Sequence, residues 1–323
     1  MSPHADEGTP PVKCKGRRGN RLTGCHFAMM ALLCILVVSC GNATPQPPVK
    51  EADRAFQPGS ETMVEIPGLN QPVSVDADGA GSVYVLDNPG CCELKVRVLK
   101  LAKGSADPVE LPFGDLSYDA GKLSVDPSGS VFVLDARRVL LLKNGAPDVV
   151  EVNPQWGLSP QANGIAGCCD GHVYAITAGG VWLVDSDANR RRLPFTGLNG
   201  PGVSSASANG DLYVVDTNPE PHDASAQAAY RVVKMARDAP AITVAARYGR
   251  TGEFLPTAVA ATDSAVYVAD SIQHRVWEFK AGQDVPVAVP FTGLQTPAAL
   301  AVDADGDLFV FDSTTKQILR LTR

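Results

Sequence analysis

Histidine is scarce in this chain: five residues among 323, at positions 4, 26, 172, 222 and 274. The last three are far apart in sequence, so a His-centred metal site, or a His base beside a nucleophile, has no local support. Neither a Gly-x-Ser-x-Gly elbow nor a phosphate-cradling glycine loop is found. A basic stripe is also missing. The chain has 28 basic and 35 acidic side chains, with 5 and 2 of them in the first forty residues, so 23 face 33 thereafter, a net charge of −10. That balance repels phosphate backbones and argues against nucleic acid as a partner. No stretch with a 3.6-residue apolar period is long enough for a major helix. Tryptophan is rare, at 3 residues, whereas Gly (30) and Pro (25) are plentiful, which suits a fold made of turns.

The one long apolar run, Phe27 to Val38, is twelve residues. A membrane-spanning helix takes about 20. Lys13, Lys15, Arg17, Arg18 and Arg21 precede it and Val37-Val38-Ser39-Cys40-Gly41 closes it. A basic flank, a short apolar core and a Cys after small residues make an export signal. The closing motif resembles a bacterial lipobox, which implies cleavage before Cys40 and a lipid carried on its thiol. Residues 1–39 are thus expected to be a lipoprotein signal peptide. Residues 40–60 are expected to be the lipidated Cys and a Pro-rich spacer with too few apolar residues to pack. Two or more acyl chains give a stable anchor. The expected location is the extracytoplasmic side of the cell membrane.

From Val73 onward one pattern recurs six times: a small apolar run, a tight polar turn, an apolar run centred on an aromatic, then usually Asp. The copies are Val73 to Asp87, Leu123 to Asp135, Ile165 to Thr177, Val203 to Asp216, Val259 to Asp270 and Ala299 to Asp312. Their aromatics, Tyr84, Phe132, Tyr174, Tyr213, Tyr267 and Phe309, are spaced by 48, 42, 39, 54 and 42 residues. A period of roughly 40–50 with two hairpin-like strands per copy is the signature of a β-propeller. The fold class is therefore all-β, with six four-stranded blades over residues 61–323. The small run is the innermost strand, crowded at the axis, and the aromatic run lies mid-blade. Third strands are expected at Val96–Leu101, Val139–Leu142, Val181–Val184, Arg231–Met235, Arg275–Phe279 and Gln317–Leu321. Outer strands are expected at Val149–Val152 and Val285–Val287. The last copy lacks an outer strand, and Glu61 to Ile66 is left over at the other end. That segment is expected to close the sixth blade and remove an open edge.

The repeat Leu300-Ala-Val-Asp-Ala-Asp-Gly-Asp-Leu-Phe-Val-Phe-Asp312, with Asp270-Ser-Ile-Gln-His-Arg-Val-Trp-Glu-Phe279, resembles the NHL repeat. The linkers Leu193-Pro-Phe-Thr-Gly-Leu198 and Val289-Pro-Phe-Thr-Gly-Leu294 make residues 61–323 similar to the extracellular sensor propeller of an actinobacterial serine/threonine kinase. The third and fourth copies depart, with Gly167-Cys168 and Ala206-Ser207 in place of Val-Asp. NHL propellers are mostly binding platforms. The resemblance therefore implies recognition of a protein, peptide or glycan without catalysis, cofactor or metal, by analogy of fold.

Candidate residues follow from the blade geometry. Cys91-Cys92 and Cys168-Cys169 fall on opposite faces of blades that do not adjoin, so two vicinal disulfides are expected rather than a bridge between the pairs. The recurring Asp87, Asp135, Asp216, Asp270 and Asp312 are expected to hold strand ends by hydrogen bonds rather than to ring a metal. The insert 218–229 shares a face with the interblade linkers, as does Tyr248 to Phe254. Asn70, Asn199, His222, Arg250 and Gln295 are accordingly the candidate partner-binding face. The alternative is an extracytoplasmic lyase or hydrolase acting in the central channel. It needs acidic or His side chains converging at the axis. A monomer is expected.

Overall fold

The computed structural model describes residues 54–89, 95–136, 138–152, 162–169, 171–177, 180–187, 189–195, 197–218, 229–237, 242–250, 252–283 and 285–323. Cys40, Cys91, Cys92 and His222 lie outside the described residues, as do the leader and most of the spacer.

Strand β1 (Glu61–Met63) comes first in the chain. Blade one is β2 (Pro72–Ala77), β3 (Val83–Asp87), β4 (Arg97–Leu101) and β5 (Val109–Glu110). Blade two is β6 (Ala120–Val125), β7 (Val131–Asp135), β8 (Arg138–Leu142) and β9 (Val150–Glu151). Blade three is β10 (Ala162–Cys169), β11 (His172–Thr177), β12 (Gly180–Val184) and β13 (Arg190–Arg192). Blade four is β14 (Pro201–Ala206), β15 (Leu212–Asn218), β16 (Ala229–Met235) and β17 (Ile242–Arg250). Blade five is β18 (Pro256–Ala261), β19 (Ala265–Asp270), β20 (Arg275–Lys280) and β21 (Val287–Ala288). Blade six is β22 (Pro297–Val302), β23 (Leu308–Asp312) and β24 (Gln317–Leu321), completed by β1. All pairings are antiparallel. The fold is a six-bladed, all-β propeller.

The second strand of each blade reads as a continuous apolar run because both of its faces are covered. β3, β7 and β23 are buried at every position. Six hydrophobic clusters carry the core, one in each wedge between neighbouring blades. Tyr84, Leu86 and Val98 of blade one, for example, pack on Leu123, Val125 and Val133 of blade two. Phe132 and Leu141 of blade two meet Ile165 and Val173 of blade three. The outer strands β5, β9 and β21 are two residues each. Short edges offer little to a foreign strand. They are shorter than the sequence suggests, and Pro286 precedes β21 instead of lying inside it, since proline has no N–H for a ladder.

Ring closure is formed as expected, with Glu61 opposite Leu321 and Met63 opposite Leu319. The strand is briefer than Glu61–Ile66; it ends as the Val64 N–H bonds the Ile318 carbonyl at 2.8 Å. The chain already touches the propeller before β1. Phe56, in the stretch read as spacer, packs edge-on to Tyr267 with ring centroids 6.1 Å apart. Arg323 seals the same seam. Its guanidinium covers the Phe56 ring and bonds Tyr267 Oη, and it reaches Glu278 Oε1 at 2.8 Å.

At the blade-one hairpin, the Gly79 N–H bonds the Pro127 carbonyl of blade two at 3.2 Å. A Cβ there would lie 2.7 Å from that oxygen. Gly79→Ala is therefore expected to cost about 1–3 kcal/mol in a urea melt, because backbone must move to admit it.

Candidate functional site

On the linker side, the aspartate that ends the second strand organises the loop before its blade. Asp87 accepts the Asn70 and Gln71 N–H groups at 3.0 and 2.7 Å. Asp216 does the same for Asn199 and Gly200, both at 2.9 Å. Asp312 does so for Gln295 and Thr296 at 2.6 and 2.8 Å. Ser117 serves Asp135, and Leu255 serves Asp270. In blades one, two and four an arginine from the third strand completes the clamp: Arg97, Arg138 and Arg231. Each also reaches a carbonyl of the linker, at Gly68, Asp115 and Gly197 respectively. Blades five and six use backbone N–H groups of the following turn instead. Burial alone would raise the Asp312 pKa. The N–H groups of Thr315, Gln295, Thr296 and Thr314 outweigh that and hold it below the ordinary carboxylate value. The hydrogen-bonding role read from the recurrence is the one the structure shows.

These clamps fix equivalent linker positions in five of the six blades. Asn70, Asn199 and Gln295, named from the sequence, are exposed there. Sequence reasoning missed their apolar companions. Tyr118 and Leu255, in the linkers before blades two and five, are 52% and 45% exposed, and Ile272 in the adjoining turn is 42% exposed. The signal was available, because Tyr118 directly follows the linker residue Ser117, as Gln71 follows Asn70. Arg250 belongs to β17, opposite Ala229. Asn218 pairs with Ala229 at the same end of the blade.

The second candidate site is the axis. The six innermost strands sit at the edges of their sheets and surround a cavity of about 60 Å³. One water needs about 10–15 Å³. Each innermost strand carries a register shift near its linker end, between Pro72 and Ser74, Ala120 and Lys122, Ala162 and Gly164, Pro201 and Ser204, Pro256 and Ala258, and Pro297 and Ala299. Such bulges re-aim the side chains that follow them. Two titratable groups, Asp76 and Lys122, line the cavity. Asp76 ties blade one to blade two: it accepts the Val125 N–H at 2.7 Å and the Ser124 hydroxyl at 3.1 Å. Burial pushes its pKa up to about 6 against these bonds. Lys122 is different. It has no hydrogen bond or ion pair among the described residues, and burial alone pushes its pKa down. Asp76 and Lys122 do not form an ion pair.

Cys168 and Cys169 are free thiols with Sγ atoms 3.1 Å apart, too far for a bond of about 2.05 Å. The bridge expected there is not formed in this structure. Burial, then the neighbouring thiol, pushes the Cys168 thiol far up, which makes it a poor nucleophile. His172 contacts the Cys169 carbonyl and His274 the Gln295 carbonyl. They stand in separate blades. Among the described residues, no three His, Cys, Asp or Glu side chains converge as metal ligands.

No family model and no curated protein matches this chain. Solved structures do. A virginiamycin B lyase from Staphylococcus aureus aligns at 10% identity and a TM-score of 0.57, over 81% of this chain and 99% of the lyase. The PQQ-bound aldose sugar dehydrogenase of Streptomyces coelicolor aligns at 17% and 0.54, over 82% and 99%. A protein of unknown function from Bacteroides thetaiotaomicron aligns at 12% and 0.55, over 81% and 72%. The likeness is one of fold alone. A lyase and a dehydrogenase share it, so chemistry must be argued from the side chains.

Proposed function

We propose that the protein is a lipid-anchored extracytoplasmic binding protein, tethered through Cys40, whose linker face takes a polypeptide partner without catalysis. The observation that carries this reading is the set of clamped linkers in five blades. Asn70, Asn199 and Gln295 offer amides, while Tyr118, Leu255 and Ile272 add apolar surface, all on backbone already fixed by buried aspartates. A preordered surface loses little entropy on binding. A large aromatic beside aliphatic anchors suits a polypeptide hot spot. A glycan would favour broader aromatic platforms.

The test is capture from envelope extract by the full chain, with Tyr118→Ala/Leu255→Ser as the comparison. The expected result is a partner held at least about ten-fold more weakly by the double variant, with thermal stability unchanged, since each truncated anchor is worth about 1 kcal/mol or more. Equal retention by both proteins would reject this face. The alternative, a lyase or hydrolase working in the channel, draws support from the lyase fold and from Asp76 and Lys122 at the axis. Those two groups do not touch, and the one hydroxyl that Asp76 holds, Ser124, also accepts the Gly167 N–H as part of the blade-to-blade bonding, so binding is the better-supported reading.

A further inference from the structure

The channel holds a feature that a partner on the linker face leaves unexplained. Lys122 lies in a ring of small or apolar positions set by the strand registers: Ser74 in blade one, Gly164 in blade three, Ala258 in blade five and Ala299 in blade six. It follows its bulge directly and is two residues from Ala120, which pairs with the clamp aspartate Asp135. It therefore stands near the linker-side mouth. Lys122 is half-buried, so its ammonium gives up part of its hydration, a loss that an arriving counter-charge would offset. Among the described residues no carboxylate pairs with it, and the other titratable lining group, Asp76, already accepts the Ala77 and Val125 N–H groups and the Ser124 hydroxyl.

We propose that the central channel is a carboxylate-binding site, in which Lys122 pairs with the charge of a small organic monoanion entering from the linker-side mouth. Below about pH 6, where Asp76 is protonated, one positive charge in the cavity matches one negative charge, and a dianion would bring an unmatched charge. The Ser205 hydroxyl, which lines the cavity and has no partner among the described residues, supplies a hydrogen-bond donor. Val73, Val75, Leu123, Ile165, Val259 and Leu300 provide apolar wall for the rest of the anion. The site stands whether or not the linker face binds a polypeptide.

The experiment uses the full chain with acetate as the probe, against chloride and phosphate at matched ionic strength. In the wild type, the thermal midpoint is expected to rise with acetate as the ligand stabilises the folded state by mass action. The Lys122 side-chain resonance, followed by NMR, is expected to titrate at higher pH when acetate is present. Lys122→Met should bind acetate at least ten-fold more weakly. Should that variant fold poorly, the wild-type resonance still decides. A Lys122 titration indifferent to acetate would overturn the proposal, as would undiminished acetate binding by Lys122→Met. Phosphate binding as tight as acetate would overturn the assignment to a monocarboxylate.

Discussion

Arg323→Met is expected to lose about 3 kcal/mol of unfolding free energy, read as a fall in the urea midpoint, because it leaves a buried carboxylate held only by the Tyr267 hydroxyl at 3.1 Å and the more distant Lys280 at 3.8 Å. The side chains of Arg323 and Glu278 are 2% and 8% exposed and meet at 2.8 Å. Glu278 lies on β20 in blade five, and Arg323 follows β24 in blade six, so the pair bolts the seam beside the ring closure. The same guanidinium lies over Phe56 and Tyr267, which adds packing that methionine replaces only in part. Arg323→Met/Glu278→Leu is the informative companion. Removing both charges avoids the unpaired ion, so the double variant should recover much of the loss and show strong coupling in a double-mutant cycle. A loss below about 1 kcal/mol for Arg323→Met would mean that Lys280, the Tyr267 hydroxyl and water together hold Glu278 without Arg323.

The second large effect is a pH dependence with an unusual direction. Most paired carboxylates stabilise a fold at neutral pH and lose that contribution on acidification. Asp76 has the opposite sign. Its folded-state pKa is raised by burial from 3.8 to about 6, so its contribution is fully present below 3.8 and is lost as the pH climbs through 6. The displacement corresponds to about 3 kcal/mol, an order-of-magnitude figure. Asp303, raised chiefly by burial, acts in the same direction. Asp78, Asp211 and Asp312 are lowered despite their burial, and their contributions disappear only as the pH falls below the ordinary carboxylate range. Stability is therefore expected to peak in mildly acidic solution. Urea midpoints measured between pH 4 and pH 7.5 should fall for the wild type and run much flatter for Asp76→Asn. Parallel profiles for the two proteins would show that Asp76 does not titrate in this window.

Much of the fold was legible because each blade repeats one physical problem. A sheet covered on both sides needs an unbroken apolar second strand, and six strands meeting at an axis need small residues. Tyr84 and Phe132 announce the first requirement, and Ala299 to Ala301 announce the second. The clamp aspartates were legible for the same reason, as a strand end that must hold the preceding linker recurs with its blade. The site was harder to read. Lys122 sits one residue before the point where the second copy becomes recognisable, and a bulge hides its equivalence to Ser74 and Ala258. Asp76 was masked by Asp78, the acid that makes the turn, bonding the Ser82 N–H and Tyr84 Oη. Blade three lost its turn acid to Gly167-Cys168, yet its Gly171 N–H is satisfied by Asp126 of the neighbouring blade. No pattern within a single repeat reveals such borrowing.

The pairing of Glu61 with Leu321 also sets a schedule for synthesis. Of the propeller's strands, the one that receives β1 is translated last, about 260 residues after β1 itself. While it is being made, a nascent chain can build five blades from contiguous segments, but the sixth waits for both extremities. Until then β1 has no mate, and fastening it brings together residues separated by nearly the whole propeller, the kind of non-local step that slows β-rich proteins. The growing chain thus spends its youth as an open clasp, and a helper protein that shields its unmated edge strands would act during that interval.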